Sequence, residues 1–406
     1  MTRRALLWGG LAAAVVVAVV VAIVWVSLAS PVGDQVGSPA RESVPIVGAD
    51  LTGSGPGSLV SATTMPGIMR DVDARQVQAA RVAYRSTSGD GQPTVVSGSV
   101  FTPKGDPPAG GWPVIAYGHA TTGIDEPCAP SLSNSLLGSA QIVSALIAQG
   151  YAVALADYQG LGAPGVHPYT DSRIAGLNMI DAVRALRATF KDVSNRWGAY
   201  GASQGGGAAW AADEQAGTYA PELEIVGAVA ISPAADVTGL ADKAQAGTLT
   251  TDQNAALSAI IESLARLHSD VDRNDYRRGA AARKWDVVVA CAGPLMQNRP
   301  EAVNAIQPHD VGASTPQAAN RLRHYLAQWA LPQQRLSAPL LVWYGGADTF
   351  IDAPWTAGAI RRACALGGTV TVQFEEHKGH GEANYFDQLQ WLTDRFEGKA
   401  PTDDCS

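Results

Sequence analysis

The sequence predicts an α/β fold: a mostly parallel β-sheet with helices on both faces and a helical insertion beside the strand ends. Three observations carry this. Apolar and β-branched residues recur in short, nearly continuous runs, as strands buried on both faces do. Between the runs lie segments with apolar residues at i, i+3 and i+4, the period of an amphipathic helix. The alternation then stops across residues 236–335, where only helical patterning continues.

Residues 94–101 alternate and are β-branched, ending at Pro103. Pro113-Val114-Ile115-Ala116-Tyr117 forms a buried-strand run closed by Gly118. A helix is expected from residue 133, with Leu136, Leu137, Ala140, Val143, Leu146 and Ile147 along one face and Gly150 as its stop. A strand at 151–156 and a helix at 173–190 follow, the helix lined by Ile174, Leu177, Ile180, Val183, Leu186 and Phe190. Further strands are expected at 196–200, 225–231, 340–344 and 369–375. Within the insertion, Thr250 and Gln253 read as a capping box opening a helix with Leu257, Ile260, Ile261, Leu264 and Leu267 on one side. A helical block between two sheet strands is expected to form a lid over the C-terminal strand edge, where open α/β folds bind ligands. The expected organisation is therefore an N-terminal segment (1–30), a linker (31–60), a core (61–235 and 336–400) and a cap (236–335).

The chain has 406 residues, 46% hydrophobic and only 16% charged, with a net charge of −8. Apolar material on this scale excludes a disordered polar chain. The acidic balance, with basic clusters no larger than pairs such as Arg277-Arg278, excludes a general nucleic-acid binder. Residues 5–29 carry no charge and follow Arg3 and Arg4. As a helix they would reach about 37 Å, enough to cross a hydrocarbon core of ~30 Å and longer than a usual signal-peptide core. A retained anchor is thus expected, with a cleaved signal ending near Ser27-Leu28-Ala29 as the alternative; in either case the rest of the chain is exported. Residues 31–60, rich in Gly, Ser and Pro, read as a spacer. Four cysteines (Cys128, Cys291, Cys364, Cys405) suit two disulfides in an oxidising compartment, and their spacing allows three pairings.

The chemistry concentrates at Gly201-Ala202-Ser203-Gln204-Gly205, a G-x-S-x-G set between a strand and a helical stretch. A strand-to-helix turn this tight demands small neighbours and exposes the serine above the sheet at a helix N-terminus. A serine hydroxyl needs a base, and the base needs an orienting acid. In this arrangement the chain order is serine, acid, histidine. Asp348 follows the strand and glycine turn Leu340–Gly346 and is preferred as the acid over Asp352. His380, flanked by Gly379 and Gly381 just beyond the last strand, is preferred as the base over His377. The backbone N–H of Gln204 is expected to donate to the oxyanion. A second donor is expected from the loop Gly118–Gly123, with Ala120 first and His119 second. His377-x-x-His380 with nearby glutamates gives a metal reading, set aside because the serine turn already accounts for one of these histidines. Gly160-x-Gly162-x-x-Gly165 resembles a dinucleotide fingerprint. Pro164 and Pro168 delay the next helix, so no organic cofactor is expected there.

Several stretches resemble the secretory lipase family, the lipase A-like branch of the α/β-hydrolase fold. They are Tyr84-Arg85-Ser86-Thr87, His119-Ala120-Thr121-Thr122-Gly123 with Cys128-Ala129-Pro130-Ser131, and Ala156-Asp157-Tyr158-Gln159-Gly160. Tyr200–Gly206, Gly346-Ala347-Asp348 and Gly379-His380 complete the set. The resemblance implies an α/β-hydrolase fold, hydrolysis of lipid esters, a helical cap over an acyl-binding tunnel, and no metal or organic cofactor. It also implies Cys128–Cys291 and Cys364–Cys405 as the disulfides. Ala120 is a departure, since glycine is frequent there in the family. The functional expectation is an exported serine ester hydrolase acting on lipid esters. A short-chain carboxylesterase or acyltransferase with the same triad, and a membrane-tethered, non-catalytic binding module, are its rivals.

Overall fold

The computed structural model describes residues 42–68 and 77–405. The anchor or signal expected at 1–30 lies outside the described residues. Among the described residues no helix is long and apolar enough to cross a membrane.

One nine-stranded sheet organises the molecule, in the spatial order β1-β2-β3-β5-β4-β6-β7-β8-β9. Its strands are β1 (Leu59–Thr64), β2 (Val77–Thr87), β3 (Pro93–Pro103), β4 (Trp112–Gly118), β5 (Ala152–Ala156), β6 (Val193–Ala202), β7 (Glu224–Ile231), β8 (Leu340–Gly345) and β9 (Val370–Glu375). From β5 through β9 all pairings are parallel, while β1, β2 and β3 form an antiparallel extension joined to β5. Side chains alternate between the two faces as the pleat requires. Val114 and Ala116 on β4, with Leu340 and Val342 on β8, face one core, shared with α2 (Ser172–Thr189), α3 (Gln204–Tyr219) and α10 (Ala353–Ala365). Ile115, Leu341 and Trp343 face the other, shared with α1 (Ala140–Ala148) and α11 (Tyr385–Phe396). This is the α/β-hydrolase architecture; in open α/β sheets ligands bind at the C-terminal edge of the parallel strands.

Between β7 and β8 the chain is helical: α4 (Gly239–Ala246), α5 (Thr251–Leu267), α6 (Gly279–Arg283), α7 (Trp285–Val289), α8 (Arg299–Asn304) and α9 (Pro316–Trp329). The Thr250–Gln253 capping box is formed in both directions. The insertion has its own core around Leu257, Ile260, Ile261, Leu264, Trp285 and Leu326. That core also takes in Ile124, Tyr169 and Ile351 from loops of the sheet domain.

Two local expectations differ from the structure. The segment expected as linker up to residue 60 is docked from Val44 onward. Thr64 N–H donates to the Val44 carbonyl, Ile46 N–H to Ala62, and Asp50 N–H to Ala188, and Leu59 already belongs to β1. The helix expected from residue 133 begins only at Ala140. Leu136 and Leu137 take left-handed backbone angles (φ 51° and 49°), so the apolar spacing there belongs to short 3-10 turns. Disulfides join Cys128 to Cys291 and Cys364 to Cys405, with Cα atoms 5.9 and 5.1 Å apart, the pairs that the family resemblance implies.

Candidate active site

Ser203 stands between β6 and α3 with φ 58° and ψ −119°, a conformation that disfavours any residue with a Cβ. The turn is held by Ser203 N–H donating to the Ile231 carbonyl, and by Gly207 and Ala234 N–H groups donating to the Ser203 carbonyl. Glycines around it are dictated by contact. A Cβ on Gly205 would lie 2.0 Å from the Gly118 carbonyl oxygen, and one on Gly201 would lie 2.2 Å from the Gly205 oxygen. The start of α3 therefore presses directly against the end of β4, which sets the height of Ser203 above the sheet.

Asp348 and His380 reach the serine from the loops after β8 and β9, along the same edge. His380 Nε2 lies 3.0 Å from Ser203 Oγ, and Nδ1 lies 2.7 Å from Asp348 Oδ2. With the serine hydroxyl donating to Nε2, Nδ1 carries the ring proton and donates to the carboxylate. Asp348 Oδ1 accepts from the Phe350 and Ile351 N–H groups at 2.8 and 3.0 Å, so both carboxylate oxygens are engaged and the side chain is buried. The Phe350 ring meets the imidazole edge-on, with centroids 4.9 Å apart. The acid and histidine loops are themselves joined, Ala347 N–H donating to the Lys378 carbonyl.

The residues weighed as alternatives sit elsewhere. Asp352 pairs with Lys243 of α4 at 2.9 Å and accepts from Gln253 Nε2, which fastens the helical insertion to the acid loop. His377 is exposed on the turn before His380. No group of three or more His, Cys, Asp or Glu side chains is arranged to hold a metal among the described residues. The glycines of 160–165 form a loop, and α2 begins only at Ser172.

Of the expected oxyanion donors, Gln204 opens α3, where first-turn N–H groups have no intrahelical acceptor. Ala120 is exposed in the loop after β4. The buried His119 ring lies between the Ala120 carbonyl (Nδ1, 2.7 Å) and the Asp157 carbonyl (Nε2, 3.2 Å) and stacks on Tyr158. It ties the loop after β4 to the loop after β5, and burial pushes its pKa down. The Asp157 carboxylate accepts from Ser97 Oγ and the Ser131 N–H. Burial nevertheless raises its pKa, against the opposing pull of those hydrogen bonds.

The sequence reading missed His167. Its Nδ1 donates to the Gln159 carbonyl at 2.8 Å, and its Nε2 accepts from the Gln204 side-chain amide at 2.9 Å. Burial is the main cause that pushes its pKa down to about 4, so the ring is neutral near pH 7 and presents a lone pair to Gln204. Nothing in its sequence neighbourhood marks this contact, because its partner lies 37 residues on, at the start of α3.

Beside Ser203 lies a narrow cavity. It is lined by Ala234, Val237, Leu240, Phe350 and Ile351, by Ala256 and Ile260 of α5, and by Thr121, Tyr169, Thr170 and Gln204. At this strand edge, then, a serine on a strand-to-helix turn lies within hydrogen-bond distance of an imidazole and beside a largely apolar cavity, the arrangement that serine α/β-hydrolases share.

The secretory lipase family model matches residues 135–404, about two thirds of the chain, and the protein belongs to that family. A protein of Mycobacterium tuberculosis (strain CDC 1551 / Oshkosh) described as a probable inactive lipase is 28% identical over 368 residues, 86% of this chain and 80% of that one. A probable trichothecene esterase of Stachybotrys chartarum is 24% identical over 388 residues, spanning 84% of this chain and 73% of its own. Candida antarctica lipase A in its closed state shares the fold, with a TM-score of 0.70 at 19% identity over 86% of this chain and 84% of that one. Lipases and esterases, the ester hydrolases, are thus the group to which the chain is related.

Proposed function

We propose that the protein is an active serine ester hydrolase of lipid esters, working through an acyl-enzyme. Ser203 Oγ attacks the ester carbonyl while His380 Nε2 takes its proton. The proton then passes to the leaving alcohol, and water, deprotonated in turn by His380, releases the acid. Asp348 holds the imidazole in the tautomer with Nδ1 protonated and stabilises its cationic form. The backbone N–H groups of Gln204 and Ala120 are the oxyanion donors in this reading, each worth ~2.7–4 kcal/mol in the transition state. The helical insertion acts as the cap, its apolar wall receiving the acyl chain.

The observation that carries the reading is the unbroken Ser203–His380–Asp348 chain of hydrogen bonds, with the carboxylate anchored on two backbone N–H groups. A fluorophosphonate probe tests it: Ser203 is labelled in the wild type and not in Ser203→Ala. Correctly folded protein that resists labelling sinks the catalytic reading and favours the binding module.

The narrowness of the cavity favours a second reading of the substrate, a short-chain esterase. A chain-length series of nitrophenyl esters decides: rates that collapse beyond short acyl chains remove the lipase assignment. The two disulfides fit export. In this reading residues 5–29 anchor the protein at the outer membrane face, which is checked by its release from membranes when the segment is deleted.

A further inference from the structure

We propose that the cavity beside Ser203 contains a hydroxyl-recognising subsite formed by Thr170 Oγ1 and Gln204 Oε1, which selects esters bearing a free hydroxyl near the scissile bond over plain alkyl esters. The inference deepens the proposed function and rests on it. Both residues line the cavity, and they are only 7% and 4% exposed. Both named atoms are buried without a hydrogen-bond partner, and they do not bond to each other. A buried polar atom of this kind is costly to leave unmatched, so a cavity lined by two residues that hold such atoms is suited to a polar group of the ligand.

The Gln204 amide has no way to relieve itself. Its Nε2 donates to His167 Nε2, whose lone pair is available because His167 Nδ1 already donates to the Gln159 carbonyl. Flipping the amide would set Oε1 against that lone pair, so Oε1 is held in its unpaired orientation. Thr170 is constrained at its backbone. It has φ 74°, in the left-handed region that a β-branched residue rarely enters, between Tyr169 and the helix-capping Asp171. The pair offers one acceptor and one hydroxyl that can donate or accept, which matches an alcohol group. That hydroxyl belongs either to the alcohol moiety, as in a partial ester of a polyol, or to the acyl chain, as in a hydroxy acid.

The test measures binding to Ser203→Ala protein by calorimetry, so that no turnover intervenes. Three soluble esters of similar size are compared: propyl butyrate, glycerol monobutyrate and propyl 3-hydroxybutyrate. One hydroxylated ester is expected to bind roughly tenfold or more tightly than propyl butyrate, and which one does so identifies the source of the hydroxyl. Thr170→Val keeps the β-branched shape and removes the hydroxyl, and Gln204→Met removes the acceptor. Added to Ser203→Ala, each is expected to bring the ratio close to one, while Thr170→Ser retains it. The ratio is read within each variant, so a general loss of affinity divides out. Equal binding of all three esters, or a preference that survives both Thr170→Val and Gln204→Met, overturns the subsite. If wild-type Ser203 reacts with fluorophosphonate while the ratio is flat or no ester binds, only the subsite falls. If no ester binds and Ser203 is also unreactive, the hydrolase reading falls with it.

Discussion

Replacing Asp348 by asparagine isolates what the acid contributes, because the surroundings dictate how the amide must sit. Oδ1 accepts from the Phe350 and Ile351 N–H groups, so in asparagine the carbonyl oxygen keeps that place. The NH2 group then occupies the Oδ2 position, 2.7 Å from His380 Nδ1. It can only donate, so Nδ1 becomes the acceptor and the ring proton moves to Nε2. There the proton faces Ser203 Oγ at 3.0 Å and the base is lost. A wrong tautomer in an otherwise intact site costs ~10⁴ in kcat, or about 5.4 kcal/mol of barrier. The assay is kcat/KM on 4-nitrophenyl butyrate, with a thermal melt to establish that the fold is kept. Asp352→Asn, which loosens Lys243 and Gln253, is expected to lower the melting temperature without a comparable loss of rate. A folded Asp348→Asn protein within tenfold of wild type would refute the reasoning, as would an Asp352→Asn protein that loses just as much.

Four further predictions follow from the packing and the buried charges. Gly205→Ala puts a methyl group 2.0 Å from the Gly118 oxygen, so the variant is expected to lose several kcal/mol or fail to fold, read by urea midpoint and soluble yield. His167 has a folded pKa of about 4, below its unfolded value of ~6.5, so its contribution is present above pH 6.5 and is lost as pH falls towards 4. Urea midpoints of wild type and His167→Gln should therefore converge by about 3 kcal/mol between pH 7 and pH 4. Glu214 has the opposite sign: burial raises its pKa to about 7, so its stabilisation is present below ~4.5 and fades as pH rises through 7, a slope that Glu214→Gln should remove. Loss of Cys128–Cys291, which spans 163 residues, should cost more than loss of Cys364–Cys405, which spans 41, at about 5 against 4 kcal/mol by chain entropy. The reverse order of denaturant midpoints would count against that account.

The parallel strands were legible because burial on both faces leaves continuous apolar runs such as Leu340–Tyr344, and their order along the chain placed serine, acid and histidine after β6, β8 and β9. β1 and β2 were not legible. As outer antiparallel strands they interleave Ala and Val with Gln, Arg, Ser and Thr, which blurs the contrast on which pattern reading depends. The expected helix at 133 was overextended, because apolar spacing cannot distinguish an α-helix from 3-10 turns built on left-handed leucines. At the site, the elbow and its partners have local signatures. The contact of His167 with Gln204 joins a loop to a helix start 37 residues on, and the left-handed backbone of Thr170 is set by the turn around it, so local sequence carries no trace of either.

The kinship with a protein described as an inactive lipase raises the question of what this fold would lose with its chemistry, and the energetics separate the two. The cores on both sheet faces and within the insertion are built from side chains other than the three at the strand ends. Their replacement would leave almost all of the buried apolar surface in place, so stability alone does not maintain them. Ser203 is held at a positive φ that costs on the order of 1–3 kcal/mol for a residue with a Cβ, and glycine at that position would relieve the strain. Asp348 is a buried carboxylate whose desolvation is offset by two N–H donors and one imidazole; removal of His380 would leave part of it unmatched. A chain relieved of catalysis would gain stability by relaxing the serine turn and would gain nothing by keeping the imidazole aligned between two partners. This chain keeps the strained serine, the anchored carboxylate and the bridging histidine together, the combination on which the proposed acyl transfer rests.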